Sequence, residues 1–192
     1  MNIENIEISQ IANLPTKHGL FKAQAFKEGS KDHLLLRTDR LNCDAPLIRV
    51  HSECLTGDAL FSRKCDCGEQ LDLAMKLIAA EGCGAILYLR QEGRNIGLFN
   101  KINAYALQDK GLDTIEANHQ LGFAADERSY EIAEYMLAFL GVKKIRLLTN
   151  NPNKIDSLKS VEIIERVPLI TAANEFNAAY LRVKKEKSGH LL

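Results

Sequence analysis

The chain has 192 residues, 46% hydrophobic and 26% charged, an ordinary balance for a globular protein of one large domain or two small ones. Lysine plus arginine equal aspartate plus glutamate at 25 each, which argues against a binder of nucleic-acid polymers, since these carry excess positive charge. No apolar run approaches the ~20 residues of a membrane span, and MNIENIEISQ lacks the basic-then-apolar layout of a leader, so a cytoplasmic protein with no membrane partner is expected.

The first third reads as strands. Residues 6–14, 20–26, 33–38 and 47–52 are rich in apolar side chains and have Pro, Gly, Asn or Asp near their ends. Residues 55–68 are polar and irregular and read as a loop. Leu71, Ala74, Met75 and Ile78 then repeat at helical spacing, and Gly82 stops the run. Residues 85–89 form a short buried-type strand, and 95–110 read as a helix ended by Gly111. Ile132, Ala133, Met136, Leu137 and Leu140 mark a further helix face between Ser129, an N-cap residue type, and Gly141. Residues 144–149 are a strand, Asn151-Pro152 opens a short helix, and 161–167 are the last strand. The C-terminal stretch 171–192, ending KKEKSGHLL, reads as a mobile tail. The expected fold class is α/β (mixed α+β): a single domain over 1–192, with a β-rich N-terminal portion and alternating helices and strands after it.

Five cysteines cannot all pair within one chain, and in a reducing compartment they are expected as thiols or metal ligands. Cys54 is followed after ten residues by Cys65-Asp66-Cys67. Thiolates are soft ligands that suit Zn²⁺, and two at i and i+2 face the same way in extended chain. Three protein ligands leave a fourth position for water, whose pKa zinc lowers towards ~7. The spacing leaves a second reading open, a closed structural site with His51 or Asp66 as fourth ligand. Cys43 and Cys83 have no such company and read as ordinary buried thiols.

No Walker-type or dinucleotide-binding glycine loop occurs. Phosphates can instead be held by arginines and helix N-termini. Arg49 lies on the strand leading to Cys54, Arg90 and Arg94 flank Glu92-Gly93 at a strand-to-helix junction, and TNNPNK from Thr149 to Lys154 forms another. Singly, each is better read as a helix start or a solvated charge. Together they fall at strand ends, where α/β folds place ligands.

The segments RVHSECLTGDALFSRKCDCG, LRQEGRNIGL, NKINAYALQD, ANHQLGFAADER and LLTNNPNK closely resemble GTP cyclohydrolase II, in order from about residue 15 to the terminal GHLL. The resemblance implies hydrolytic opening of the guanine imidazole ring of GTP. Formate and pyrophosphate leave, and a diaminopyrimidine ribosylamine phosphate remains, the first committed intermediate of riboflavin synthesis. It implies one Zn²⁺ per chain, Mg²⁺ with the triphosphate, and a homodimer. By the match, Cys54, Cys65 and Cys67 hold the catalytic metal. Arg49, Val50, His51, Ser52, Glu53, Gln70, Glu92, Gly93, Arg94, Thr114, Thr149 and Lys154 contact GTP. Tyr105 lines the site, Asp126 accepts a proton and Arg128 is the nucleophile. The residues themselves leave Asp126 and Arg128 as a surface pair and Tyr105 as a core aromatic. Two stretches depart from the family: the short segment 156–163, and Arg182-Val183-Lys184, where a Thr usually precedes the Lys.

Guanine selectivity requires partners for O6, N1–H and N2. Gln70, by the match, and Glu116 are candidates. Two rivals remain. His51-Ser52-Glu53 fits the H-x-E half of a zinc nucleotide deaminase signature, whose P-C-x-x-C half is missing. A structural-zinc binding module without chemistry is the other. Ammonia rather than formate would mark the first, and no turnover the second.

Overall fold

The computed structural model describes residues 5–191. Two short strands, β1 (Glu7–Ile8) and β2 (Ala12–Thr16), lie one after the other along the same edge of the long β3 (Gly19–Glu28). The two-residue turn Gly29-Ser30 returns β3 into β4 (Lys31–Arg37), and its left-handed first position, φ 58°, is taken by glycine. Then follow β5 (Leu47–Ser52), α1 (Leu55–Asp58), α2 (Cys67–Glu81), β6 (Gly84–Leu89), α3 (Gly97–Gln108), α4 (Thr114–Gln120), α5 (Glu131–Phe139), β7 (Lys144–Leu148), α6 (Pro152–Ser157), β8 (Glu162–Val167) and α7 (Ala178–Ser188).

All eight strands form one sheet in the order β1-β3-β4-β6-β5-β7-β8, with β2 also on β3. The strand-rich N-terminal half pairs antiparallel, up to and including β4 on β6. The helix-connected half, β6, β5, β7 and β8, pairs parallel, as crossover connections require. Both halves of the expected mixed α/β fold are therefore present in one continuous sheet.

Helices cover both faces of the parallel half. On one face α2 packs Ala74 and Ile78 with Leu47, Ile86 and Leu148. On the other, α5 packs Ile132, Ala133, Met136 and Leu137 with Ile48, Val50, Leu87, Leu89, Ile145 and Leu147. The two-residue period of β5 decides its chemistry. Ile48 and Val50 go into the α5 core, while Arg49 reaches Gln70 of α2 on the opposite face. The ends of β5, β6 and β7 lie side by side, and the loops after them enclose a cavity.

Several expectations are corrected. The stretch 6–14 is broken into β1 and β2, each paired to a different part of β3. The stretch 55–68 is not all loop, since α1 occupies its start and α2 begins at Cys67. The N-cap of α5 is Tyr130, although Ser129 Oγ still accepts the Glu131 N–H at 3.3 Å. Cys43 and Cys83 form a disulfide rather than standing as separate thiols. Their approach follows from pairing: the Thr38 N–H donates to the Gly84 carbonyl, Arg40 bridges Cys83, and the Leu47 N–H donates to the Cys83 carbonyl. The stretch read as a charged tail carries α7, whose Lys184 is buried.

Met136 is fully buried in the α5 core. Met136→Ala is expected to cost about 2–5 kcal/mol, the range for large-to-small core changes. The check is a lowered urea midpoint with an unchanged slope.

Candidate active site

The metal-ligand candidates stand where the short α1 and the long α2 begin. Cys54 is the N-cap of α1, Cys67 is the first residue of α2, and Cys65 precedes it by two. Two glycines allow the approach. A Cβ on Gly68 would lie 2.2 Å from the Gly57 carbonyl oxygen, and one on Gly57 would lie 2.9 Å from Cys65 Sγ and 3.1 Å from Cys54 Sγ. The three sulfurs all lie within 4.8 Å of one another, with Cys54 and Cys65 at 3.6 Å. Tetrahedral Zn–S geometry places sulfurs ~3.8 Å apart, so the cradle fits such an ion.

Neither proposed fourth ligand joins the sulfurs: among the described residues, the ligand atoms grouped within 4.8 Å of one another are those of Cys54, Cys65 and Cys67. His51 Nε2 lies 3.1 Å from both oxygens of Asp58, a carboxylate that also accepts from the Cys54 N–H at 3.0 Å and the Tyr88 hydroxyl at 2.8 Å. Burial pushes His51 below its ordinary pKa in spite of Asp58, so it is a neutral ring donating from Nε2 at pH 7. Asp66 takes Lys184 Nζ on one oxygen and Gln70 Nε2 on the other, both at 2.6 Å. Lys101, on α3, sets its ammonium 3.0 Å from Cys54 Sγ and 2.6 Å from Glu92 Oε1. Hydrogen bonds from the Cys65 and Cys67 thiols, and then this ammonium, hold Cys54 far below the ordinary thiol range, as a thiolate.

Across the cavity lies a cluster of cations. Arg49 donates to Gln70 Oε1 at 2.8 Å and to the Leu148 carbonyl at 3.1 Å, and burial pushes its pKa down to about 10. Lys154 donates to the Val50 carbonyl at 2.7 Å. Burial lowers its pKa strongly, and neighbouring Arg49, Arg128 and Lys184 lower it further. Arg128 makes a two-pronged pair with Asp126, Nε to Oδ1 at 2.8 Å and Nη2 to Oδ2 at 2.6 Å. Burial favours neutral arginine there, but the Asp126 contact, together with Tyr130 and Tyr180, outweighs it and raises the Arg128 pKa above its ordinary value. Asp126 is held below the usual carboxylate range by the same pair, against the effect of burial. Such a site can bind an anion, whose charge relieves the repulsion among buried cations.

The structure brings nearly all the residues singled out in the sequence to this cavity. Arg49, His51, Ser52, Glu53, Cys54, Cys65, Cys67, Gln70, Glu92, Gly93, Arg94, Tyr105, Thr114, Arg128, Thr149 and Lys154 line it. Val50 does not, its side chain being in the α5 core while its carbonyl holds Lys154. Asp126 stands behind Arg128 rather than on the wall. Glu92 spends its carboxylate on the Leu55 N–H at 2.6 Å and on Lys101, anchoring the start of α1. Glu116 is outside the cavity. Its carboxylate closes a capping box on the Asp113 N–H at 2.9 Å, which removes it as a guanine partner.

A family model for GTP cyclohydrolase II matches residues 7–168. The chain belongs to the GTP cyclohydrolase II family. Among its relatives, the GTP cyclohydrolase-2 of Campylobacter hominis is 58% identical over 188 residues, covering 98% of this chain and 96% of that one. The GTP cyclohydrolase-2 of Helicobacter pylori strain Shi470 is 56% identical over 194 residues, covering 99% and 100%. A solved structure, a two-domain dihydroxybutanone phosphate synthase from A. baumannii, aligns with a TM-score of 0.48 at 16% identity, over 89% of this chain and 42% of that one.

Residues to which neither spacing nor the GTP cyclohydrolase II resemblance gave a role also build the site: Asp58, Lys101, Asn118, Tyr180, Lys184 and His190. For Lys101 a signal existed, since it stands one helical turn before buried Ala104 on the inward side of α3. For Lys184 the surrounding charge pointed the other way.

Gly57→Ala places a methyl against two sulfurs without disturbing the strand core. Metal affinity, measured by competition with a chromogenic chelator, is expected to fall at least ~10-fold, as for changes to the surroundings of metal ligands, with unchanged far-UV circular dichroism. Wild-type affinity would show that the cradle tolerates the methyl.

Proposed function

We propose that this chain is an enzyme that hydrolyses GTP, releasing formate from the guanine imidazole ring and pyrophosphate from the triphosphate, at the entry to riboflavin synthesis. The observation that carries the reading is the pairing of a three-cysteine cradle with a wall of buried cations in one cavity. A soft-metal site suits attack by water on a purine carbon, and the cations suit the triphosphate. The names of the relatives support the same activity.

Cys54, Cys65 and Cys67 would hold one zinc ion, and Mg²⁺ would accompany the triphosphate. Zinc bound by three thiolates supplies Lewis acidity toward water at neutral pH. Since the close group of ligand atoms holds the three sulfurs and neither His51 nor Asp66, the fourth position is open to a reactant, which favours a catalytic over a structural metal. Arg49, Lys154 and Arg128 hold the phosphates. Gln70 reads the purine, and Glu53, Gly93, Arg94, Thr114 and Thr149 complete the nucleotide wall. Tyr105, its hydroxyl 3.3 Å from Thr56 Oγ1, which lies 3.7 Å from Cys54 Sγ, would act as a proton carrier beside the cysteine cradle.

Arg128 is read as a fixed cation that steadies the α-phosphate oxygens while water attacks. Its pair with Asp126 favours the charged form, and a guanidinium without a free lone pair is no nucleophile. Asp126 orients Arg128 rather than removing its proton. A homodimer in the cytoplasm completes the reading. Exposed Leu98, Phe99 and Ile102 on α3 offer apolar surface for the second copy.

The deciding experiment is incubation of the purified protein with GTP and Mg²⁺, with products identified by mass. Formate and pyrophosphate are expected, and Cys65→Ser with Cys67→Ser should abolish formate. Ammonia would indicate a deaminase, and intact GTP a binding module. Arg128→Ala is expected to slow pyrophosphate release at least ~100-fold, the scale for losing a charge-stabilising donor. Arg128→Lys should retain part of that activity, and the wild-type protein should carry no guanylyl label after quenched single turnovers. A labelled protein would restore the nucleophilic role.

A further inference from the structure

The C-terminal helix delivers a charge to the floor of the cavity. Lys184, only 8% exposed, lies 2.6 Å from an oxygen of Asp66, which is 1% exposed. From there a line of hydrogen bonds crosses the site. The other Asp66 oxygen accepts from Gln70 Nε2 at 2.6 Å, and Gln70 Oε1 accepts from Arg49 Nη2 at 2.8 Å. Arg49 Nε, though buried, has no partner among the described residues.

The direction of the Gln70 amide is set from both ends. An ionised carboxylate only accepts and a guanidinium only donates, so the NH₂ must face Asp66 and the oxygen must face Arg49. Without Lys184, Asp66 becomes a buried anion short of a cation. Arg49 is then the cation within reach, and a direct Asp66–Arg49 pair would displace Gln70 and turn the guanidinium. Beyond α7 the chain is fastened to the same wall. The His190 N–H donates to the Lys184 carbonyl at 3.1 Å, and the Leu191 N–H to the Asn150 carbonyl at 2.8 Å, beside Thr149.

We propose that Lys184 is a positioning residue for nucleotide binding: through Asp66 it fixes Gln70 and Arg49, and its helix forms the wall that closes over the bound nucleotide. This rests on the reading of the cavity as a GTP site. Lys184 acts on the floor rather than on the reacting atoms, so its removal weakens binding more than turnover. A residue that only anchored the C-terminus would change stability and leave KM alone.

Lys184→Met is expected to raise KM for GTP by about ten-fold or more, the scale of a lost hydrogen bond to a charged group, with kcat within about three-fold. Metal content should match the wild type, and Lys184→Arg should recover most of the loss. In a Gln70→Ala background, Lys184→Met should raise KM by less than it does in the wild type, because part of its effect runs through Gln70. A KM within two-fold of wild type in Lys184→Met overturns the proposal, as does full additivity with Gln70→Ala. So does a variant that loses metal yet keeps the wild-type KM in its loaded fraction. Limited trypsin digestion of the wild-type protein decides the matter even where Lys184→Met does not fold. A non-hydrolysable GTP analogue should slow cleavage within residues 178–188 by about ten-fold, whereas cleavage indifferent to the analogue overturns the closing role. If the wild type leaves GTP unchanged, the proposed activity fails on its own account, while protection of α7 by the analogue still decides the closing role, and the effect of Lys184→Met on the analogue's Kd decides the role of Lys184.

Discussion

The site depends on one contact between two backbones. The first turn of α2 touches α1 so closely that Gly68 has no room for a side-chain atom beside the Gly57 carbonyl. That approach puts the N-cap of one helix and the first residue of the other within reach of a single ion. Asp58 then ties the pair to the sheet, since its carboxylate takes the Cys54 N–H, the His51 ring of β5 and the Tyr88 hydroxyl of β6. A buried carboxylate with three donors is satisfied by hydrogen bonds rather than by a fixed cation. The nearby cations are left to face the cavity.

Charge is sorted over a short distance in a molecule whose formal charge is zero. Sulfur and carboxylate collect around α1 and the start of α2, while Arg49 of β5, Lys154 of α6 and Arg128 before α5 collect on the other side. Keeping three cations out of water is costly, and the protein offsets the cost unevenly. Arg128 has a carboxylate partner, Arg49 has an amide and a carbonyl, and Lys154 has one carbonyl. Burial and the neighbouring cations lower the Lys154 pKa strongly, and a bound phosphate would support its charge.

What could be read from the sequence divides along physical lines. Strands and helices with a clear apolar period, such as residues 47–52 and the Ile132-to-Leu140 face, appear where the pattern put them, because burial on one side is what the pattern encodes. The cysteine cluster was legible because thiolates at close spacing have few other uses. Less was legible where a long-range partner decides the outcome. Nothing local distinguishes Glu116, spent on a cap, from a residue facing a ligand, and nothing local joins Cys43 to Cys83, which strand pairing brings together. Charge around Lys184 suggested solvent, and only Asp66, far away in sequence, reverses that reading. Val50 shows the limit of a matched segment: every second residue of a strand faces away, whatever the motif around it does.

The two halves of the site close over very different lengths of chain. Cys54 and Cys65 are 11 residues apart, whereas Asp66 and Lys184 are 118 apart. Loop-closure entropy favours the short closure, and synthesis from the N-terminus completes it first. The growing chain on the ribosome thus owns a whole thiol cradle while the helix bearing Lys184 has yet to be translated. Loss of the last codons would leave that cradle intact beside an unfinished nucleotide wall.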